Sequence, residues 1–196
     1  MPNPTTNSLR IIGGSLRSRK ISFPDAEGLR PTADRIRETL FNWLQFNLQG
    51  KHCLDLFAGS GVLGIEALSR GAASSLFLEQ NAAAANSIAD NLKRLGLESG
   101  EVCRTDALNW VNSAVNSDRK FDVVFVDPPF SSSAVSDIFE ALDTRPLFSE
   151  NCKLYIESPV PLESMSTLQN WQQVKSKKAG KVFFSLWKYT RRDLKG

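Results

Sequence analysis

The run Asp127-Pro128-Pro129-Phe130 holds the most chemically specific residues of this chain. Consecutive prolines fix φ and remove two backbone donors, yet leave their carbonyls as acceptors. Asp127 adds a carboxylate acceptor, and Phe130 adds a flat apolar face. Acceptors beside an aromatic plate match a planar base that carries an –NH₂ group. The Asp127 carboxylate and the Pro128 carbonyl can each take one amino hydrogen. Held that way, the nitrogen pyramidalises, and its lone pair turns out of the ring toward an electrophile. Stacking on Phe130 contributes ~1–3 kcal/mol. Chemistry of this kind is mostly positioning and needs no strong base.

A second constellation lies upstream, in Leu54-Asp55-Leu56-Phe57-Ala58-Gly59-Ser60-Gly61. Gly59, Gly61 and Gly64 match the spacing of the dinucleotide fingerprint, with acidic Glu79 farther on. By itself that pattern leaves a nicotinamide enzyme open. Asp55 argues otherwise, because an anion just before the loop opposes a pyrophosphate. It suits a ligand with an α-ammonium and a sulfonium, which is the chemistry of S-adenosylmethionine. Acidic residues then recur at successive strand ends as Asp55, Glu79, Asp106 and Asp127. Glu79 can hold two ribose hydroxyls, and Asp106 can accept from an adenine amino group. The expected cofactor-facing set is Asp55, Phe57, Ala58, Gly59, Ser60, Gly61, Glu79, Gln80, Asp106 and Ala107. A nicotinamide dehydrogenase would leave Asp127–Phe130 unexplained.

These residues need elements to place them. Residues 1–8 are polar and read as a disordered tail. Residues 9–23 read as a β-hairpin turning at Gly13-Gly14. Thr32 is placed to cap a helix from Ala33 to Phe46, with Ile36, Leu40, Trp43 and Leu44 as its apolar stripe. Strands are predicted at 53–57, 75–79, 101–104, 121–126 and 153–157. Helices are predicted at 61–70, 82–95, 107–115 and 133–142, with a short one at 162–168. Strands at 172–175 and 182–189 close the chain as a hairpin. Such alternation gives a parallel sheet covered on both faces, with ligands beyond the carboxyl ends of its strands.

Composition narrows the field further. The chain has 196 residues, 41% hydrophobic and 23% charged, which fits one α/β domain with a small appendage. No run approaches a membrane span, and the start lacks the apolar core of a signal peptide, so a cytoplasmic location is expected. Cys53, Cys103 and Cys152 are too widely spaced for a zinc site, and no metal is expected. The one histidine, His52, precedes a strand, so a histidine base is not expected. Net charge is +3 over residues 1–50, −6 over 51–150 and +6 over 151–196. Basic ends suit a polyanion. Arg10, Arg17, Arg19, Lys20, Arg30, Arg35 and Arg37 are the expected nucleic-acid contacts. Asp34 or Arg37 is the alternative lining of the cofactor pocket. Lys175, Lys177, Lys178 and Lys181 read as a solvated loop.

Asp127–Phe130 resembles the D/N-P-P-Y/F motif of amino-methyltransferases, and with Asp55–Gly61 the chain resembles a class I, Rossmann-like methyltransferase. Arg10–Gly14, Arg17–Lys20, Arg30–Asn42 and Leu63–Gly71 are similar to the bacterial 16S ribosomal RNA guanine-N2 methyltransferase family of the RsmD type, from about Arg10 to Tyr189. The resemblance implies methyl transfer from S-adenosylmethionine to one guanine N2 in a small-subunit RNA loop near the P site. It also implies a seven-stranded, mostly parallel sheet with helices on both faces, order 3-2-1-4-5-7-6 and strand 7 antiparallel. The expected organisation is a tail (1–8), an RNA-contacting hairpin and loop (9–31) and a methyltransferase domain (32–196). The expected partner is 16S ribosomal RNA in the small subunit or a late assembly particle, met by a monomer. Leu16 stands where the family often has an aromatic, and Ser18 where it often has glycine. Two rivals share features of this reading: a DNA adenine-N6 methyltransferase and a non-catalytic ribosome-assembly factor.

Overall fold

The computed structural model of the chain describes residues 6–25, 32–114, 119–129, 134–144, 147–161 and 170–190. Its elements are β1 (Thr6–Arg10), β2 (Lys20–Pro24), α1 (Asp34–Trp43), β3 (His52–Asp55), α2 (Val62–Ser69), β4 (Ser74–Leu78) and α3 (Ala82–Leu95). There follow β5 (Gly100–Cys103), α4 (Ala107–Ser113), β6 (Phe121–Val126), α5 (Ala134–Thr144), β7 (Phe148–Ser158), β8 (Trp171–Ala179) and β9 (Val182–Tyr189). Strands β3 to β9 form one sheet in the order β5-β4-β3-β6-β7-β9-β8. Pairing is parallel from β5 across to β7, and β9 runs antiparallel to both its neighbours. This is the order that the resemblance implied. Strand order reverses between β3 and β6, so the carboxyl ends of those two strands flank the crevice where such sheets bind ligands.

The central strands are apolar on both faces, as burial under two helix layers requires. Phe77, Phe125 and Tyr155 point into the core beneath α1, α2 and α3. Val124, Val126, Leu154 and Ile156 point to the opposite core, under α4 and α5. Asp55 is in register with Phe125, and Phe125 with Tyr155. Asp127 and Glu157 lie two residues beyond that row, so alternation sends all three carboxylates to the α1 side. Helix α2 is buried along its whole length. It sits so close to β4 that a Cβ on Gly64 would come within 2.2 Å of the Phe77 ring. Helix α3 has the expected bounds because both ends are capped. The Asn81 side chain accepts from the Ala83 and Ala84 amides, and Gly96 closes the far end in the left-handed conformation.

Several expectations are corrected. Residues 6–8 belong to β1 and not to a disordered tail. Thr32 does not cap α1; Ala33 occupies the N-cap without a side-chain bond. Strand β7 starts at Phe148, ahead of Lys153. Its pairing with β6 shifts register there, and Asn151 at φ 65° lets the irregular stretch through. Lys175, Lys177 and Lys178 lie on strand β8, not in a loop, and only Lys181 is in the turn. The expected helix at 162–168 falls outside the described residues.

The first two strands pair from Thr6↔Pro24 to Arg10↔Lys20, so the ribbon closes through nine residues and not through a tight turn at Gly13-Gly14. The connection folds back on α2. Ser15 and Leu16 donate their amides to the Ser69 carbonyl (2.8 Å) and hydroxyl (3.0 Å), and that hydroxyl donates to the Gly13 carbonyl (2.6 Å). Gly14, at φ +76°, lies where a Cβ would be 1.9 Å from the Ser69 carbonyl oxygen. Ser18 has φ 70°, the left-handed conformation that glycine adopts without steric cost. On the other side β2 docks on α3. The buried Asn91 amide both accepts from the Ser22 N–H (3.1 Å) and donates to its carbonyl (2.6 Å).

Candidate active site

Asp55 ends β3 and is 1% exposed; its Oδ2 accepts from the Gly64 amide at 3.2 Å. Burial, then the charges of Asp127 and Glu79, push its pKa up to about 7 against the pull of the Gly64 bond. Glu79 directly follows β4 and accepts from the amides of Gly59 (2.8 Å) and Asn81 (2.7 Å). It thereby ties the glycine loop to the start of α3. Each carboxylate oxygen has two lone pairs, so both keep acceptor capacity for hydroxyls. Asp106 caps α4 by accepting from the Asn109 amide at 2.9 Å. Ala58, Ser60, Gly61 and Ala107 are buried around this crevice, Phe57 and Gly59 are half-buried, and Gln80 is exposed.

Asp127 follows β6 and is partly buried. Its Oδ2 accepts from the Thr32 hydroxyl at 2.9 Å. Burial raises its pKa to about 6, and the Thr32 bond opposes the rise. Pro128 is buried and Pro129 exposed, while Phe130 lies outside the described residues. The next strand end brings a group that sequence reasoning missed. Glu157, 3% exposed, accepts from the Tyr155 hydroxyl at 2.8 Å. Burial and the Asp127 charge push its pKa up to about 8, against the bonds from Tyr155 and Thr32. Burial and Glu157 likewise hold the Tyr155 hydroxyl well above its ordinary range. Glu157 had a signal: it closes an apolar strand with a carboxylate, as Asp55, Glu79 and Asp127 do.

Among the described residues, no lysine or arginine pairs with Asp55, Asp127 or Glu157. Acids crowded on one rim without a counter-charge raise one another's pKa and favour a cationic ligand. The donor set therefore fits a cofactor that carries an ammonium and a sulfonium. Asp55 and the Phe57–Gly61 loop would hold its amino-acid end, and Glu79 its ribose.

Arg10, Arg17, Arg19, Lys20 and Arg35 are exposed, as a phosphate-contacting surface requires. Arg37 is not: it is wholly buried and must be removed from that set. It pairs with Asp34 and Glu66 and donates to the Arg10 carbonyl at 3.0 Å. Glu66, also fully buried, accepts from Arg70 Nε (3.0 Å) and from the Ile12 amide (2.9 Å). This charged knot joins the ribbon, α1 and α2. Arg30 lies outside the described residues.

Comparison with known proteins agrees with the fold and the motifs. A family profile described as "Conserved hypothetical protein 95" matches residues 9–188. The Escherichia coli protein named ribosomal RNA small subunit methyltransferase D is 37% identical over 182 residues, 93% of this chain and 90% of that protein. Its Haemophilus influenzae counterpart of the same name is 40% identical over 181 residues, 91% and 93% of the two chains. The solved structure of yhhF from Escherichia coli superposes with a TM-score of 0.84 at 35% identity, covering 95% of this chain and 100% of that one. Similarity of this extent, together with the Asp127-Pro128-Pro129 strand end beside the glycine loop, places the chain in the family of the ribosomal RNA small subunit methyltransferases D.

Proposed function

We propose that this protein transfers a methyl group from S-adenosylmethionine to the exocyclic N2 of one guanine in 16S ribosomal RNA, in the loop near the P site that the family resemblance implies. The observation that carries the reading is the junction of two sites at the strand-order reversal. A cation-favouring pocket at Asp55 adjoins an amine-accepting turn at Asp127. When bound, S-adenosylmethionine supplies an electrophilic methyl group. The chain's own residues do the rest by placement. One oxygen of Asp127 is engaged by Thr32, and the other is left to accept an amino hydrogen of the guanine. The Pro128 carbonyl takes the second hydrogen, and Phe130 supports the base. The amine becomes acidic as it is alkylated, and its proton leaves through Asp127 or water.

The exposed bases of the ribbon, with Arg35, contact RNA phosphates and set the register of the particle on the enzyme. The substrate is the small subunit or a late assembly particle, met in the cytoplasm by a single copy of the chain. The test is methylation of small-subunit particles from a strain that lacks this modification. Mass spectrometry of the digested RNA then identifies the product. N2-methylguanosine at a single position is the expected result. N6-methyladenosine, in RNA or in added DNA, would replace this reading with the adenine one. Particle binding without any methylation would make the chain a non-catalytic assembly factor.

A further inference from the structure

The exposed bases of this protein lie at two opposite ends of the sheet. In a strand–helix–strand crossover the helix runs back against its strands, so α2 and α3 end at the edge opposite the catalytic rim. The ribbon is fastened at those ends. Ser15 donates its amide to the carbonyl of Ser69, the last residue of α2, and Arg94, near the end of α3, donates to the Lys20 carbonyl at 2.7 Å. Arg17, Arg19 and Lys20 are therefore about a helix length from the rim, between the ~12 Å of α2 and the ~21 Å of α3.

The β8–β9 hairpin points the other way. Strand β9 runs antiparallel to β7, and Phe183 at its start is opposite Ser158 at the carboxyl end of β7. The turn at Gly180-Lys181 thus stands at the catalytic end of the sheet. One row of paired residues runs from Glu157 to Phe184 to Lys177, and the row behind it from Tyr155 to Leu186 to Lys175. Residues directly opposite share a face, and Phe184 and Leu186 belong to the core beneath α1. Lys175 and Lys177 therefore stand on the face that carries Asp127. Because Val126 is in register with Ile156, Asp127 extends the first row, and Lys177 is three strand spacings from it, about 14 Å. Trp43 ends α1 over Phe184, with ring centroids 5.4 Å apart. Beyond it Lys175, Lys177 and Lys181 are exposed, and among the described residues none of them is in an ion pair.

We propose that Lys175, Lys177 and Lys181 grip the RNA phosphates beside the nucleotide that enters the site, while the ribbon's bases hold RNA farther off. The inference rests on the methyltransferase reading above. Asp55, Asp127 and Glu157 make the rim itself acidic, so a polyanionic strand laid across it must be held from the flank. A neighbouring nucleotide spans much of the distance to Lys177, and the lysine side chain covers the rest. Lysine is a flexible point charge that seats a backbone without reading bases, so these contacts position the strand and leave selection to the pocket. Lys178 is the contrast within the same strand. It stands opposite Phe183, on the other face, with its ammonium 4.7 Å from that ring.

The test joins Lys175→Gln, Lys177→Gln and Lys181→Gln in one variant and measures its binding to small-subunit particles across a salt series. Three lost phosphate contacts should weaken binding by ~10–100-fold at about 0.1 M salt and flatten the slope of log affinity against log salt by ~2 units. Cofactor Kd should stay as in the wild type. Lys178→Gln should leave the slope as it is. Unchanged affinity and slope in the triple variant, or a Lys178→Gln effect as large per lysine, would overturn the proposal. Formaldehyde crosslinking of the wild-type complex, mapped by mass spectrometry, tests the placement without any variant. Lys175, Lys177 or Lys181 should be joined to RNA within a few nucleotides of the methylated base, and Lys20 to RNA farther away. Crosslinks from these three lysines only to remote RNA, or only to proteins of the particle, would also overturn the proposal. If wild type methylates no particle but the triple variant still loses the salt slope, the functional reading falls and the hairpin stands as an RNA surface.

Discussion

If Asp55 receives the cationic end of the cofactor, cofactor binding must compete with protons. The free carboxyl has a pKa of about 7, because burial and two neighbouring acids disfavour its charge. An ammonium or sulfonium beside it favours the charge and lowers that value. At pH 7 about half of the free protein is ready to bind, and at pH 5 only about 1%, which amounts to ~50-fold in affinity or near 2 kcal/mol. Below pH 7 the ligand's own amino group stays protonated, so the fall belongs to the protein. By linkage, binding must also release protons, roughly half of one per cofactor at pH 7 and about 0.9 at pH 6. Calorimetry in two buffers of different ionisation enthalpy measures both quantities. Asp55→Asn should bind weakly and without the slope. Affinity that is flat from pH 5 to 7 with no proton release, or a slope that survives in Asp55→Asn, would refute the assignment.

Asp127→Ala should cut turnover by ~100-fold or more with little change in cofactor Kd, in a single-turnover assay; activity within a fewfold of wild type would remove it from the mechanism. Neutralising Arg17, Arg19 and Lys20 together should weaken particle RNA binding and flatten its salt slope by roughly one unit for each phosphate the variant no longer reaches, leaving cofactor binding intact. Arg37→Ala should act on folding instead, by ~3–5 kcal/mol in denaturant titration, because it strips a buried partner from Glu66. The ligand-free protein should lose thermal stability between pH 5 and pH 8. Folded pKa values of about 7 for Asp55 and about 8 for Glu157 exceed those of unfolded carboxyls, so the folded state holds protons that unfolding releases. A melting temperature that rises over that range would contradict the burial of these acids.

Much of this was legible because the local signals agreed with the fold. The run FDVVFV could be little but a buried strand, and β6 has the expected bounds. Helix α3 carried both of its caps in sequence. Strand order is different in kind. Alternation states that strands are parallel, not which ones are neighbours, and only the family resemblance supplied the order. The meeting of Thr32, Asp127 and Glu157 depends on that order, since their elements are remote along the chain and adjacent across β6 and β7. Arg37 was misread by residue type. It stands three residues before Leu40 and four before Phe41, on the buried stripe of α1, and periodicity placed it there while its charge suggested RNA. The ribbon was misread by its turn. Gly13-Gly14 serves close approach to α2, not a two-residue reversal.

Strand β8 is an edge of the sheet, with one side of its backbone paired to β9. An open edge invites a strand from another molecule, and sheets that leave one bare tend to aggregate. Lys175, Lys177 and Lys178 are all exposed along it. Lys175 and Lys177 stand opposite Leu186 and Phe184, and Lys178 opposite Phe183, with its ammonium 4.7 Å from that ring. Any strand approaching this edge must bring its own chain beside closely spaced positive charges, and a second copy of β8 brings the same charges. The lysines thus act as a terminator for the sheet, whatever else they touch. A sheet that ends on such a strand cannot grow by pairing with further copies of itself.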